Sequence, residues 1–185
     1  MKKISKVTIL CLFTTLLLFS LQLPVFAASK TTINKKVELA LQTLAEHSPA
    51  ASELATIAKG ILVFPDIIKG GLIVGGQYGE GALVINNKIV GYYNTVAASY
   101  GLQIGAQSFG FAMFFMTDSA LQYLKKSSGW EVGVGPSVVM VDQGIARSLT
   151  TSTAKEDIYA FSFGQKGLMA GMGLQGSKIT QIHPQ

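Results

Sequence analysis

The sequence predicts an α+β protein in which N-terminal helices pack on a curved, largely antiparallel, glycine-rich β-sheet or partly closed barrel. Three observations support this prediction. Residues 28–60 carry apolar residues at helical spacing. From residue 61 onward the pattern changes to short runs of β-branched and aromatic residues. The chain also contains 20 glycines, many at strand positions, which favours close approach between neighbouring backbones.

The first 27 residues have the composition of a cleavable secretory signal peptide. Three lysines precede the uncharged residues 7–23, and small residues at Val25 and Ala27 end the segment before a cut after Ala27. A membrane anchor is the alternative, because an apolar stretch of about 17 residues is the lower limit for spanning. Pro24 favours cleavage, and Cys11 lies in mid-stretch after Leu10, unlike a lipoprotein cysteine. We therefore expect export to the periplasm, the cell envelope or the medium.

Cleavage would leave residues 28–185 as one domain, with a helical segment at 28–60 and a β domain at 61–185. Three of the fifteen basic residues leave with the signal peptide, so twelve basic residues face ten acidic ones. No dense basic cluster remains, and we expect no nucleic-acid partner. The single cysteine lies in the signal segment, so the domain is expected to rely on burial rather than disulfides.

Three helices are predicted. The first presents one apolar face made of Ile33, Val37, Ala40, Leu41 and Leu44. Ser48 and Pro49 suit the N-cap and the first position of a second helix, with Gly60 as its C-terminal stop. Thr117-Asp118 suits the cap of a short helix over residues 119–126.

Strands are expected between and after these helices. The predicted segments are 61–64 (ended by Pro65-Asp66), 71–75, 81–85, 89–93, 100–107, 109–116, 130–141, 158–163, 167–175 and 177–182. Asn86-Asn87-Lys88 predicts a hairpin turn, and residues 148–153 a loop or solvent-facing strand. Aromatic side chains are expected to cover the strand glycines; the alternative is that the glycines line a ligand channel.

No motif supports catalysis, a metal or a cofactor. Residues 171–176 fit G-x-G-x-x-G, but only nine residues follow and none is acidic, so a nucleotide site is not expected. His47 and His183 have no second metal ligand at a usable spacing, and no G-x-S-x-G elbow occurs. We expect no enzyme activity and no catalytic residues.

Lipid contact is the remaining chemistry. The apolar face of the first helix is bordered by lysines, which suits a bilayer interface, although packing on the domain is the alternative. Two lysines after strand 109–116 suit a phosphate head group, and a solvated helix end is the alternative there. The candidate membrane-contact residues are Ile33, Lys35, Lys36, Val37, Leu41, Lys125 and Lys126.

Several ordered motifs resemble the SYLF domain family, also called the Ysc84 family. They are residues 58–65 (AKGILVFP), 70–76 (GGLIVGG), 79–81 (GEG), 103–107 (QIGAQ), 133–136 (GVGP), 158–162 (IYAFS) and 165–171 (QKGLMAG). The resemblance covers residues 35–183 and implies a lipid-binding module. Eukaryotic relatives bind phosphoinositide membranes, in part through an N-terminal amphipathic helix, and some bind actin. Neither actin nor a phosphoinositide preference is expected for an exported bacterial protein.

Two functions follow as expectations. The favoured one is a non-enzymatic exported protein that binds phospholipid or the membrane surface. The alternative is a structural or interaction protein of the envelope whose glycine-rich sheet binds a protein partner or a second copy. The favoured hypothesis predicts that Val37→Asp weakens vesicle binding while the β domain stays folded.

Overall fold

The computed structural model describes residues 28–71, 74–100, 105–167, 174 and 176–185. The predicted signal peptide lies outside the described residues, as does most of the predicted strand 167–175 with its glycine motif. The described elements are α1 (Lys30–His47), α2 (Pro49–Ile57), β1 (Gly60–Gly71), β2 (Val74–Ile85), β3 (Lys88–Tyr100), β4 (Gly105–Phe115), α3 (Asp118–Lys126), β5 (Trp130–Glu131), β6 (Val138–Met140), α4 (Gln143–Ser148), β7 (Ile158–Gly167) and β8 (Lys178–Ile182).

The eight strands form one sheet in the order β5-β8-β3-β2-β1-β4-β7-β6. Neighbouring strands are antiparallel, except that β6 and β7 are parallel. The sheet curls into an open half-barrel. Its edge strands, β5 and β6, have only two and three residues, which limits edge-to-edge pairing with other chains. The predicted α+β class is confirmed.

Capping residues determine where the helices begin. Ser48 accepts a hydrogen bond from the Ala51 amide and Pro49 opens α2, as predicted. Thr117 accepts from the Ala120 amide at the start of α3, also as predicted. The prediction that Gly60 ends the second helix is wrong, because α2 ends at Ile57 and Gly60 begins β1.

Both faces of the sheet are covered by apolar clusters. We call the side that packs against α3 the inner face and the side that packs against α1 and α2 the outer face. The inner core includes Phe64, Phe109, Phe111, Phe115, Leu121, Leu124 and Trp130. The outer core includes Ile33, Val37, Leu44, Leu54, Val63, Phe114 and Phe161. Strand alternation separates the two sets, since neighbouring residues of a strand point to opposite faces.

Strand β1 does not end at Pro65-Asp66, as the sequence had predicted. It continues through a bulge that shifts its register against both β2 and β4. Proline has no amide hydrogen to donate to the ladder, so a bulge is the position at which a central strand tolerates it. Gly81 lies opposite this bulge, where a Cβ atom would overlap the Val63 carbonyl oxygen. The predicted role of glycine in close backbone approach is confirmed there.

The remaining strand predictions hold in part. Asn86 and Asn87 have φ angles of 50° and 58°, which matches the predicted hairpin turn. The predicted strand 130–141 is split into β5 and β6, because positive φ values of 106° at Gly133 and 91° at Gly135 bend the chain between them. The predicted loop at 148–153 follows α4, a helix that the sequence reading missed.

Candidate functional site

The apolar face of α1 packs on the sheet. Ile33 and Val37 are only 2% and 1% exposed, and Leu41 is half-buried against the same outer core. Of the two alternatives for this helix face, the structure adopts packing on the domain. Because Val37 is buried, we now expect Val37→Asp to destabilise the fold itself, in contrast to the expectation from the sequence, since burying a carboxylate is costly. Lipid contact by these three residues would require α1 to leave the sheet.

The predicted lysines do not form one site. Lys35 is exposed on α1, while Lys36 Nζ donates to Asp66 Oδ2 at 2.9 Å with both side chains about half exposed. Lys125 and Lys126 are exposed in the last turn of α3, which packs on the inner face. The sheet thus separates them from α1. Their position at a helix C-terminus suits the helix dipole.

An exposed apolar row crosses three adjacent strands on the outer face. Ile68 of β1 pairs in register with Tyr78 of β2, and Tyr78 pairs with Val96 of β3. Their side chains are 63%, 38% and 46% exposed. Directly paired residues project on the same side of a sheet, so the three side chains form one continuous surface. We call Ile68, Tyr78 and Val96 the apolar row.

Basic residues border the apolar row on both sides. The exposed Lys178 of β8 pairs with Val96 in register. Lys36 lines the same cavity as Ile68 and Tyr78, at the N-terminal half of α1. An apolar surface with cations at its edges suits the boundary between acyl chains and anionic head groups.

Tyr78 and Glu80 form a polar pair beside the apolar row. The Tyr78 hydroxyl donates to Glu80 Oε1 at 2.6 Å. Burial raises the pKa of Tyr78 to about 12, and the hydrogen bond to Glu80 and its negative charge act in the same direction. The phenol therefore stays neutral at physiological pH. Its ring is partly exposed to solvent, while its hydroxyl is hydrogen-bonded to Glu80.

Three neighbouring cavities follow the side of α1. Two have volumes of about 410 Å³ each and meet at Thr43, Phe163 and Gly164. The third, of about 250 Å³, shares Lys36 and Asp66 with the second and extends to the apolar row. Volumes of about 300–1,000 Å³ are typical of small-molecule pockets. We call these three connected cavities the groove. The groove and the apolar row together form one surface on the outer face beside α1.

No group of three potential metal ligands occurs among the described residues. His47 hydrogen-bonds the Thr43 carbonyl oxygen in the last turn of α1, and both histidines are exposed. Among the described helices, none combines the length and apolarity needed to cross a bilayer.

The sequence reading missed the apolar row because of the bulge. Regular alternation from Leu62 and Phe64 would place Ile68 on the inner face, whereas the register shift buries Ile67 there and turns Ile68 outward. Tyr78 and Val96 join Ile68 only through strand register. Pro65 in an apolar strand pattern was the available signal, since proline in a strand marks a bulge or an edge.

The fold and this surface define an α+β domain with an exposed apolar row and a groove beside its first helix. Residues 96–183 match the family model of Ysc84, described as a Las17-binding protein actin regulator. This segment is just under half of the chain, and over it the predicted resemblance to the Ysc84 (SYLF) family is confirmed. No curated protein matched the chain. The match to this family model supports a broad role in binding lipids or proteins.

Proposed function

We propose that this is a non-enzymatic, exported protein that binds phospholipid at a membrane surface through the apolar row. The observation that supports the proposal is the exposure of Ile68, Tyr78 and Val96 side by side on three adjacent strands. Contiguous exposed apolar side chains mark interaction sites on soluble domains. The signal-like first segment supports export, and the lysines at the edges favour anionic lipid.

The actin role in the family description is not part of the proposal. An exported bacterial protein does not meet actin in its ordinary surroundings. The proposed partner is a bilayer containing anionic phospholipid, and the apolar row would enter the region between head groups and acyl chains. Lys36 and Lys178, which border the apolar row, would then lie near the phosphates.

Vesicle flotation tests the proposal with the protein comprising residues 28–185. The protein should float with vesicles containing anionic phospholipid, and less with purely zwitterionic ones. Val96→Ser should lower the partition coefficient about tenfold, because burial of such a side chain contributes about 1.5–3 kcal/mol. Ile68→Ser should act in the same direction.

Val134→Ser is the matched control, because Val134 is 55% exposed and its carbonyl oxygen accepts a hydrogen bond from Nε1 of Trp130, a residue of the inner core. Its flotation should equal that of the unmodified protein. Equal losses for Val96→Ser and Val134→Ser would refute the apolar row as the membrane contact. The protein could instead fail to float and form a dimer by light scattering. If Val96→Ser abolished that dimer, the partner of the apolar row would be a second copy of the chain and not a membrane.

A further inference from the structure

Ala28 is the first residue after the predicted signal-peptide cut, and its backbone nitrogen contacts a carboxylate. That nitrogen donates to Glu80 Oε2 at 2.9 Å, although 52 positions separate the two residues in sequence. Hydrolysis of the Ala27–Ala28 bond consumes one water, leaves a carboxylate on Ala27 and turns the Ala28 nitrogen into a primary amine. Such α-amino groups have pKa values of about 7.7–8.0, so they are largely protonated at neutral pH.

We propose that Glu80 is a receptor for the α-ammonium group that processing creates on Ala28, and that this ion pair fastens α1 to β2. The inference rests on the export proposed above but not on lipid binding. It assigns Glu80 a role in maturation: the processed chain gains a contact that the precursor makes only as a neutral amide hydrogen bond.

The surroundings of Glu80 suit a cation. Tyr78 donates a neutral hydrogen bond to Oε1 at 2.6 Å, which leaves Oε2 for Ala28. Lys36 lines the same cavity, but its Nζ donates to Asp66 at 2.9 Å. A partly buried carboxylate that receives a charge-assisted hydrogen bond is better compensated than one held by neutral donors alone.

The start of α1 also needs a negative charge nearby. Its first turn contains no acidic residue and begins with Lys30. The N-terminal end of a helix dipole is positive, so an α-ammonium group two residues before the helix would be unfavourable on its own. Gln185 already accepts a hydrogen bond from the Lys30 amide through its backbone oxygen at 3.1 Å. Glu80 is the side-chain carboxylate that contacts the Ala28 nitrogen itself. The Ala28 side chain packs against the outer core, which fixes the position of the nitrogen.

A four-protein cycle tests the proposal on residues 28–185: free or acetylated Ala28, each with Glu80 or with Glu80→Gln. Urea unfolding is followed by the fluorescence of Trp130, the single tryptophan of the chain. Acetylation should shift the folding equilibrium about tenfold towards the unfolded state when Glu80 is present, which equals about 1.4 kcal/mol. In the Glu80→Gln background the shift should fall below about twofold. Equal shifts in both backgrounds would overturn the ion pair.

Tyr78→Phe is the control, because it removes the other contact of Glu80 and should keep the acetylation effect. If Glu80→Gln does not fold, the comparison is made between the proteins that start at Ala28 and at Ala27 with Glu80 present, and equal stabilities overturn the proposal. The intact mass of the exported protein should correspond to a chain that starts at Ala28. A different first residue would overturn this inference without affecting flotation, and failed flotation would leave it intact.

Discussion

Truncation of Val37 tests whether α1 is a docked element or a free amphipathic helix. Val37 lies on the face of α1 that packs into the outer core, and its side chain is 1% exposed. Val37→Ala removes two methyl groups, each contributing about 0.8 kcal/mol, and leaves a small cavity. Alanine is the better helix former, which offsets a few tenths of a kcal/mol. We expect a loss of about 2 kcal/mol in the free energy of unfolding and a fall of about 4–8 °C in Tm.

The matched control is Leu39→Ala, two positions along the same helix, where the side chain is 55% exposed. Its effect should lie within about 0.5 kcal/mol. Urea unfolding is measured by the fluorescence of Trp130, which is buried in the inner core and so reports unfolding of the whole sheet. Identical midpoints for Val37→Ala and Leu39→Ala would refute the docking of α1. If Val37→Ala lost flotation but kept its free energy of unfolding, α1 would be the membrane-contacting element.

Two further predictions concern β2. Gly81→Ala should cost about 2–3 kcal/mol in urea unfolding, because its methyl group would overlap the Val63 carbonyl oxygen and lie 2.8 Å from the Phe64 ring. Gly76→Ala, where the nearest atom is 3.6 Å away, should be neutral or slightly stabilising, and equal losses would contradict the close approach at the bulge. Tyr78 should form tyrosinate with a pKa of about 12, measured by ultraviolet absorbance and assigned with Tyr78→Phe. Because folding raises this pKa, its contribution to stability is present below about pH 10 and is lost as pH rises towards 12. Glu80→Gln should lower the pKa of Tyr78 only part of the way to 10.0, since burial is the largest cause; an unchanged titration would exclude Glu80 as a cause.

Much of the local structure was predictable because neighbouring residues decide it. The N-caps at Ser48 and Thr117 satisfy amides three positions later, and the consecutive asparagines at Asn86 and Asn87 tolerate the positive φ angles of a tight hairpin turn. The helical segment α4 was missed because six residues bounded by Asp142 give a weak periodic signal.

The candidate site was less predictable than the fold. The five predicted contact residues of α1 belong to an apolar face with lysines beside it. Membrane-bound helices and helices that pack on a sheet share this pattern. Only the burial of Ile33 and Val37 distinguishes the two cases. The apolar row, which is the membrane-contact surface proposed instead of α1, depends on strand register.

The sequence by itself determined most element types, the α+β class, the family resemblance and the starts of α2 and α3, because these follow from spacing, ordered motifs and local hydrogen bonds. Tertiary structure alone decided three things. The bulge at Pro65 chose the face on which Ile68 lies, and strand pairing placed Tyr78 and Val96 beside it. The packing of Ala28 and α1 on the outer face brought the Ala28 nitrogen to Glu80, 52 positions away in sequence. Such contacts depend on register and packing between distant segments, which no local pattern encodes.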